Sequence, residues 1–141
     1  AFNLREMARL RVPIIVIITG EGGSGGALAI AIGDRVIMLE NSIYSVITPE
    51  GCAAILWKDA KEAPQAAASM KITAPDLQQL GIIDKVIAEP GEGAQENWDA
   101  ASLLLKEVIQ ASLQELEAQT TEDRIAARYR KFREMGRILE R

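Results

Sequence analysis

Residues 20–26 (GEGGSGG) hold five glycines in seven positions, between a β-branched run and a short apolar segment. Two chemistries suit such a loop. The first is dinucleotide binding, because Gly20-x-Gly22-x-x-Gly25 has the G-x-G-x-x-G spacing. It follows an apolar strand and precedes a helix, and Glu40 stands about 20 residues on, where a ribose-binding acid belongs. Against this, the helix available between Gly26 and Gly33 is only about two turns long, short for a Rossmann crossover. Gly23 and Gly26 also make the loop looser than that fingerprint requires. The second chemistry uses the backbone. Consecutive glycines at a helix start let a ligand approach closely, and the helix end adds partial positive charge. Two such N–H groups aimed at one point form an oxyanion hole, which needs no side chain. A third possibility is a tight strand-to-helix turn packed against a neighbour.

Composition narrows the chemistry. The chain of 141 residues has no histidine and one cysteine, so it cannot build a Ser-His or Cys-His pair, a Cys/His zinc site or an internal disulfide by itself. Ser24 has no group in the chain to deprotonate it, and a metal is not expected. Chemistry must rest on backbone groups, carboxylates, lysines or a partner. The net charge is −4, but residues 120–141 carry 7 basic and 4 acidic side chains. That basic tail reads as a solvated face or a protein contact. With Tyr129 and Phe132 its only aromatics, it does not suggest nucleic acid. The longest unbroken apolar stretch, residues 12–18, is far short of the roughly 20 residues of a membrane helix, and no secretory signal is visible. Cys52 reads as a small buried hydrophobe, Glu50 as a first-turn acid favoured by the helix dipole, and Tyr44 and Trp57 as packing residues. Glu21 is either a ligand contact or an exposed tip.

The elements that must position the loop follow from patterning. Residues 1–10 read as a helix with Phe2, Met7 and Leu10 inward, uncapped at its start, which suggests a chain cut inside a helix. Residues 12–19 (VPIIVIIT) read as a strand buried on both faces, with Pro13 at its start. A short helix over 27–32, ended by Gly33, should follow the glycine loop. Strands over 35–39 and 43–48 should flank the turn Glu40-Asn41-Ser42. Thr48 caps and Pro49 opens a helix to about Trp57. Helices are expected over 60–70 and from Thr73 to Gly81, then a strand over 82–88. A long helix over 99–118 carries the stripe Leu105, Val108, Ile109, Leu113 and Leu116, expected to pack against protein and not lipid. Thr120 with Asp123 resembles a capping box for a last helix running to the C-terminus. Alternating strands and helices indicate the α/β class.

The segments GEGGSGGALAIAIGD and YSVITPEGCAAILWKD, with ITAPDLQQLGIIDKVIAEP and TTEDRIAARYRKF after them, resemble the α subunit of the carboxyltransferase of multisubunit acetyl-CoA carboxylase. The resemblance spans essentially the whole chain and leaves out the family's N-terminal portion. It implies a crotonase-type fold, a superhelix of ββα units followed by C-terminal helices. Residues 1–90 would be the C-terminal part of the core and 91–141 a helical region. It implies an α₂β₂ arrangement with a β subunit, active only together. Carboxybiotin, borne on a separate biotin carboxyl carrier protein, would give its carboxyl group to acetyl-CoA to make malonyl-CoA, in a bacterial cytoplasm or a plastid stroma. Biotin would not be attached to this chain. The β subunit's oxyanion hole would hold the acetyl-CoA carbonyl. Aligned by its G-G-A step, this chain's donor pair falls on Gly25 and Gly26, with biotin approaching over Gly22, Gly23 and Ser24. A non-catalytic scaffold with the same fold is the alternative of a different class.

Overall fold

The computed structural model describes residues 2–136. The order is α1 (Phe2–Ala8), β1 (Ile15–Ile18), β2 (Glu21–Gly23), α2 (Ser24–Ile30), β3 (Arg35–Leu39), β4 (Ile43–Ser45), α3 (Pro49–Leu56), α4 (Ala63–Met70), α5 (Ala74–Gln79), β5 (Lys85–Ile87), α6 (Trp98–Glu117) and α7 (Thr121–Glu134). The start expected at Ala1 and the run of the last helix to Arg141 fall outside the described residues.

Two successive ββα units, β1-β2-α2 and β3-β4-α3, stack one on the next. The first strands of the units pair in parallel, Ile15 opposite Arg35 through Ile18 opposite Met38, and β3 pairs onward with β5. The second strands pair likewise, Glu21 opposite Ile43 through Gly23 opposite Ser45. The sheets therefore run β1-β3-β5 and β2-β4, as in a superhelix with one unit per turn.

Side-chain alternation explains why the first sheet is apolar on both faces. Val16, Ile18, Val36 and Met38 meet Ala74, Leu77 and Ile83 on one face. Ile37, Leu39 and Ile87 meet Leu105 and Val108 of α6 on the other. Gly33 is required by this packing, since a Cβ there would lie 2.8 Å from Val16 Cγ2 and 3.0 Å from the Arg35 carbonyl oxygen.

Several expected boundaries shift for local reasons. Strand β1 begins at Ile15, after Pro13, because the Ile14 amide is taken by the Asp34 carboxylate at 2.7 Å. Helix α2 begins at Ser24, three residues early, and ends at Ile30. Strand β4 stops at Ser45, whose hydroxyl donates to the Ile47 carbonyl at 2.6 Å and so competes with the ladder. The segment 60–70 breaks into a 3₁₀ turn, Ala60–Glu62, and α4, which carries Pro64 in its first turn where the missing N–H costs nothing. Strand β5 is shorter than expected because the Ile82 and Ile83 amides turn back to the Leu77 carbonyl. The caps behave as expected. Thr48 accepts the Gly51 amide, and Thr120 accepts the Asp123 amide, each at 3.1 Å.

The first helix departs from expectation. None of its residues is buried, and Phe2 and Leu10 are exposed. Polar bonds from Arg128 to the carbonyls of Ala8 and Leu10 hold its end instead. The basic last helix departs too, since Arg124 and Arg128 are buried.

Candidate active site

Strand β2 forms the first half of the glycine-rich segment, because the backbone of β4 lies alongside it. The Ile43 amide donates to the Gly20 carbonyl at 3.0 Å, and the buried Ser42 hydroxyl donates to the Ile18 carbonyl at 3.1 Å. After Gly23, in extended conformation, Ser24 turns the chain through a left-handed φ of 53° and α2 starts. A serine in that region costs on the order of 1–2 kcal/mol. No side chain caps α2. Helix geometry leaves the amides of Gly25 and Gly26 ahead of the first intrahelical bond, and both residues are exposed.

The glycines serve different ends. A Cβ at Gly22 would lie 2.8 Å from Tyr44 Cδ2 and 3.3 Å from Ile18 Cγ2, so this glycine makes room for a tyrosine ring. At Gly25 and Gly26, nothing among the described residues lies within 4 Å of an added Cβ. Neither has a positive φ. Glycine inside a helix is worth roughly 0.5–1 kcal/mol less than alanine, so neither packing nor backbone conformation within the described chain accounts for these two. Without side chains, they leave the backbone at the start of α2 open to approach.

Two hollows flank the segment. One, of about 260 Å³, is lined by Val16, Ile18, Gly20, Gly22, Ala27 and Tyr44 among others. The other, of about 360 Å³, lies beside Gly22, Gly23 and Ser24, with Ile43, Val46, Pro49 and Ile72 as apolar wall. The Tyr44 hydroxyl donates to the Ala27 carbonyl at 2.9 Å, and burial pushes its pKa above the usual 10.0. Glu21 is exposed, Glu50 sits in the first turn of α3, and Cys52 is half-buried, not fully buried as its composition suggested. Trp57 is 38% exposed, so its ring is only partly covered. Among the described residues no cluster of three or more His, Cys, Asp or Glu side chains could hold a metal ion.

This geometry disfavours the dinucleotide fingerprint. Its second glycine must leave the backbone open to a pyrophosphate, yet here Gly22 is filled by the Tyr44 ring. Glu40, placed for a ribose, accepts the Glu89 amide at 3.2 Å. The structure thus brings Gly22, Gly23, Ser24, Gly25 and Gly26 onto one strand-to-helix corner. Sequence reasoning missed the brace behind that corner. Tyr44 is the one aromatic residue between Phe2 and Trp57, two residues after a polar turn, and this was the signal available for it.

Comparison with known proteins gives the family. The family model described as "Acetyl co-enzyme A carboxylase carboxyltransferase-like" matches residues 1–136. The acetyl-coenzyme A carboxylase carboxyl transferase subunit alpha of Geobacter metallireducens is 57% identical over 140 residues, which are 99% of this chain and 44% of the relative. That of Acaryochloris marina is 57% identical over 136 residues, 96% of this chain and 42% of the relative. The chain therefore spans less than half the length of these relatives. Among solved structures, a Pseudomonas malonate decarboxylase hetero-tetramer in complex with coenzyme A superimposes with a TM-score of 0.67 at 18% identity, over 89% of this chain and 50% of that one. That likeness concerns the fold, and the stacked ββα units are of the crotonase type. With the family model matched along nearly its whole length and relatives more than half identical, this chain belongs to the acetyl co-enzyme A carboxylase carboxyltransferase-like family.

Proposed function

We propose that the chain supplies part of the α side of a carboxyltransferase, working with a β subunit in an α₂β₂ assembly. The reaction moves the carboxyl group of carboxybiotin, borne on a separate carrier protein, to acetyl-CoA and yields malonyl-CoA, the first committed step of fatty acid biosynthesis. Its setting is the bacterial cytoplasm or a plastid stroma, and no described helix is long and apolar enough to cross a membrane. Residues 1–90 serve as the C-terminal part of the core and 91–141 as its helical region.

The observation that carries this reading is the open approach to Gly25 and Gly26, two glycines whose missing side chains serve nothing inside the described chain. Their amides act as paired donors to an oxygen gaining negative charge. A neutral donor pair on rigid backbone stabilises such an oxygen without reorganising as the charge develops. The donor set fits the ureido oxygen of biotin, an acceptor only. The hollow beside Gly22, Gly23 and Ser24 offers apolar wall to the rest of that group. Carboxybiotin, when bound, supplies the carboxyl group that acetyl-CoA receives. This chain's residues position it and steady the oxygen, and the β subunit provides the acetyl-CoA site.

Gly26→Val in the full-length subunit, assembled with its β partner, tests this reading. The expected result is an intact complex that no longer forms malonyl-CoA, because the valine side chain fills the approach. Unchanged turnover would make the corner a mere turn and the chain a scaffold.

A further inference from the structure

We propose that Tyr44 is a positioning residue for the donor pair, holding the glycine corner in register from behind; this rests on the oxyanion role given to Gly25 and Gly26 above. Three contacts converge on it. Its backbone sits opposite Gly22 in the β2–β4 ladder, with its own amide bonded to the Ile72 carbonyl at 3.0 Å. Its ring fills the space that a side chain at Gly22 would occupy, 2.8 Å from where that Cβ would be. Its hydroxyl reaches across to the Ala27 carbonyl at 2.9 Å, an oxygen that also accepts the Ala31 amide at 3.1 Å.

Gly22 and Ala27 bracket the stretch that carries Gly23, Ser24, Gly25 and Gly26. One side chain therefore fixes both ends of a segment that has almost no side chains of its own. The need for such a brace is physical. A run of glycines has many accessible conformations, and Ser24 is held at a strained left-handed φ that something around it must over-determine. Burial raises the phenol pKa, so the hydroxyl stays a donor throughout the neutral and mildly alkaline range.

Tyr44→Phe keeps the ring on Gly22 and deletes only the bond to Ala27. In the full-length subunit within its complex, kcat for carboxyl transfer should fall about tenfold, the value of one hydrogen bond. The KM for acetyl-CoA should stay within roughly twofold, since that site lies on the partner. Amide hydrogen exchange should quicken at the bonded amides on either side of the donor pair, in β2 and over residues 27–31, while β3 keeps its protection. Unchanged kcat and unchanged exchange would overturn the proposal. Exchange accelerated as much in β3 as in the corner would also overturn it, by showing a general loosening. Gly26→Val, measured beside it, separates the two readings. If that variant keeps full turnover, the oxyanion role fails. If it loses turnover while Tyr44→Phe does not, only the role of Tyr44 fails.

Discussion

Arg128 and Asp34 form a fork-to-fork ion pair, Nε to Oδ1 and Nη2 to Oδ2, both at 2.8 Å. Each side chain is only 2% exposed. The remaining valences are used as well. Arg128 donates to the carbonyls of Leu10 at 3.0 Å and Val12 at 3.1 Å, and Asp34 accepts the Ile14 amide at 2.7 Å. The pair thus joins α7 to the segment entering β1 and to the turn between α2 and β3, the two connections at the ends of the first ββα unit.

A buried pair of this kind is costly to break from one side, because the other charge is left uncompensated. Arg128→Met and Asp34→Asn should each lower stability by about 3–5 kcal/mol. Their effects should be strongly non-additive in the double variant, as expected for groups in direct contact. Urea denaturation of the full-length subunit measures both. Additive losses would mean that the two side chains act independently.

The glycine corner should trade stability against activity. Gly25→Ala and Gly26→Ala place a methyl group in open space on residues that would be better helix formers as alanine. Each should raise stability by roughly 0.5–1 kcal/mol. Carboxyl transfer by the assembled enzyme should fall, because the methyl stands in the path to the amides. Misaligning or masking one such donor typically costs on the order of 10²–10³ in kcat. Thermal unfolding and steady-state turnover on the same samples check the pair of effects. A variant that is both more stable and fully active would show that nothing needs that space.

The legibility of this chain in its sequence was uneven, and for physical reasons. The buried strands and caps could be read directly, since β-branched runs and Thr48-Pro49 or Thr120-x-x-Asp123 act through their immediate neighbours. Strand β2 could not, because Glu21, Gly22 and Gly23 have no strand propensity and pair only because Ile43, Tyr44 and Ser45 run beside them. The site was legible as a set of glycines, but the division of labour among them was not. Gly22 and Gly26 look alike in sequence and differ in whether the Tyr44 ring is behind them. Arg124 and Arg128 misled for the same reason. An arginine on a charged helix is ordinarily solvated. Arg124 comes inside on the carbonyls of Arg11 and Leu116, and Arg128 on the Asp34 carboxylate and the carbonyls of Leu10 and Val12.

Acid should probe the loop after β5. The Ala94 amide, at 2.7 Å, and then the Asn41 amide, at 2.9 Å, hold the Glu89 carboxyl below its ordinary value. A carboxyl whose folded pKa is depressed contributes stability above its unfolded pKa and loses it as pH falls through the folded value. Glu89→Gln removes the titration while keeping an acceptor. Between about pH 5 and pH 3 the parent's thermal midpoint should therefore fall more steeply than the variant's. Parallel acid profiles would show that these two bonds do not favour the charged form.

The long helix α6 supplies the sharpest contrast between neighbouring leucines. Its stripe was expected to pack against protein and not lipid. Leu105 and Val108 do pack on the sheet and Leu116 is 1% exposed, but Ile109 and Leu113 are each 37% exposed. The stripe therefore divides into a part that folds the unit and a part open for contact. Leu116→Ala should cost about 2–5 kcal/mol, the range for emptying a buried leucine site. Leu113→Asp, one turn earlier, gives up only part of its burial plus a small loss of helix propensity, and should cost about 1–2 kcal/mol. Urea midpoints of the full-length subunit test this order. Size-exclusion of the same variants with the β partner then asks whether Leu113 lies in an assembly contact. A Leu113→Asp protein that folds but fails to assemble places it there, whereas one that unfolds as readily as Leu116→Ala would show that α6 packs more deeply than its exposed leucines indicate.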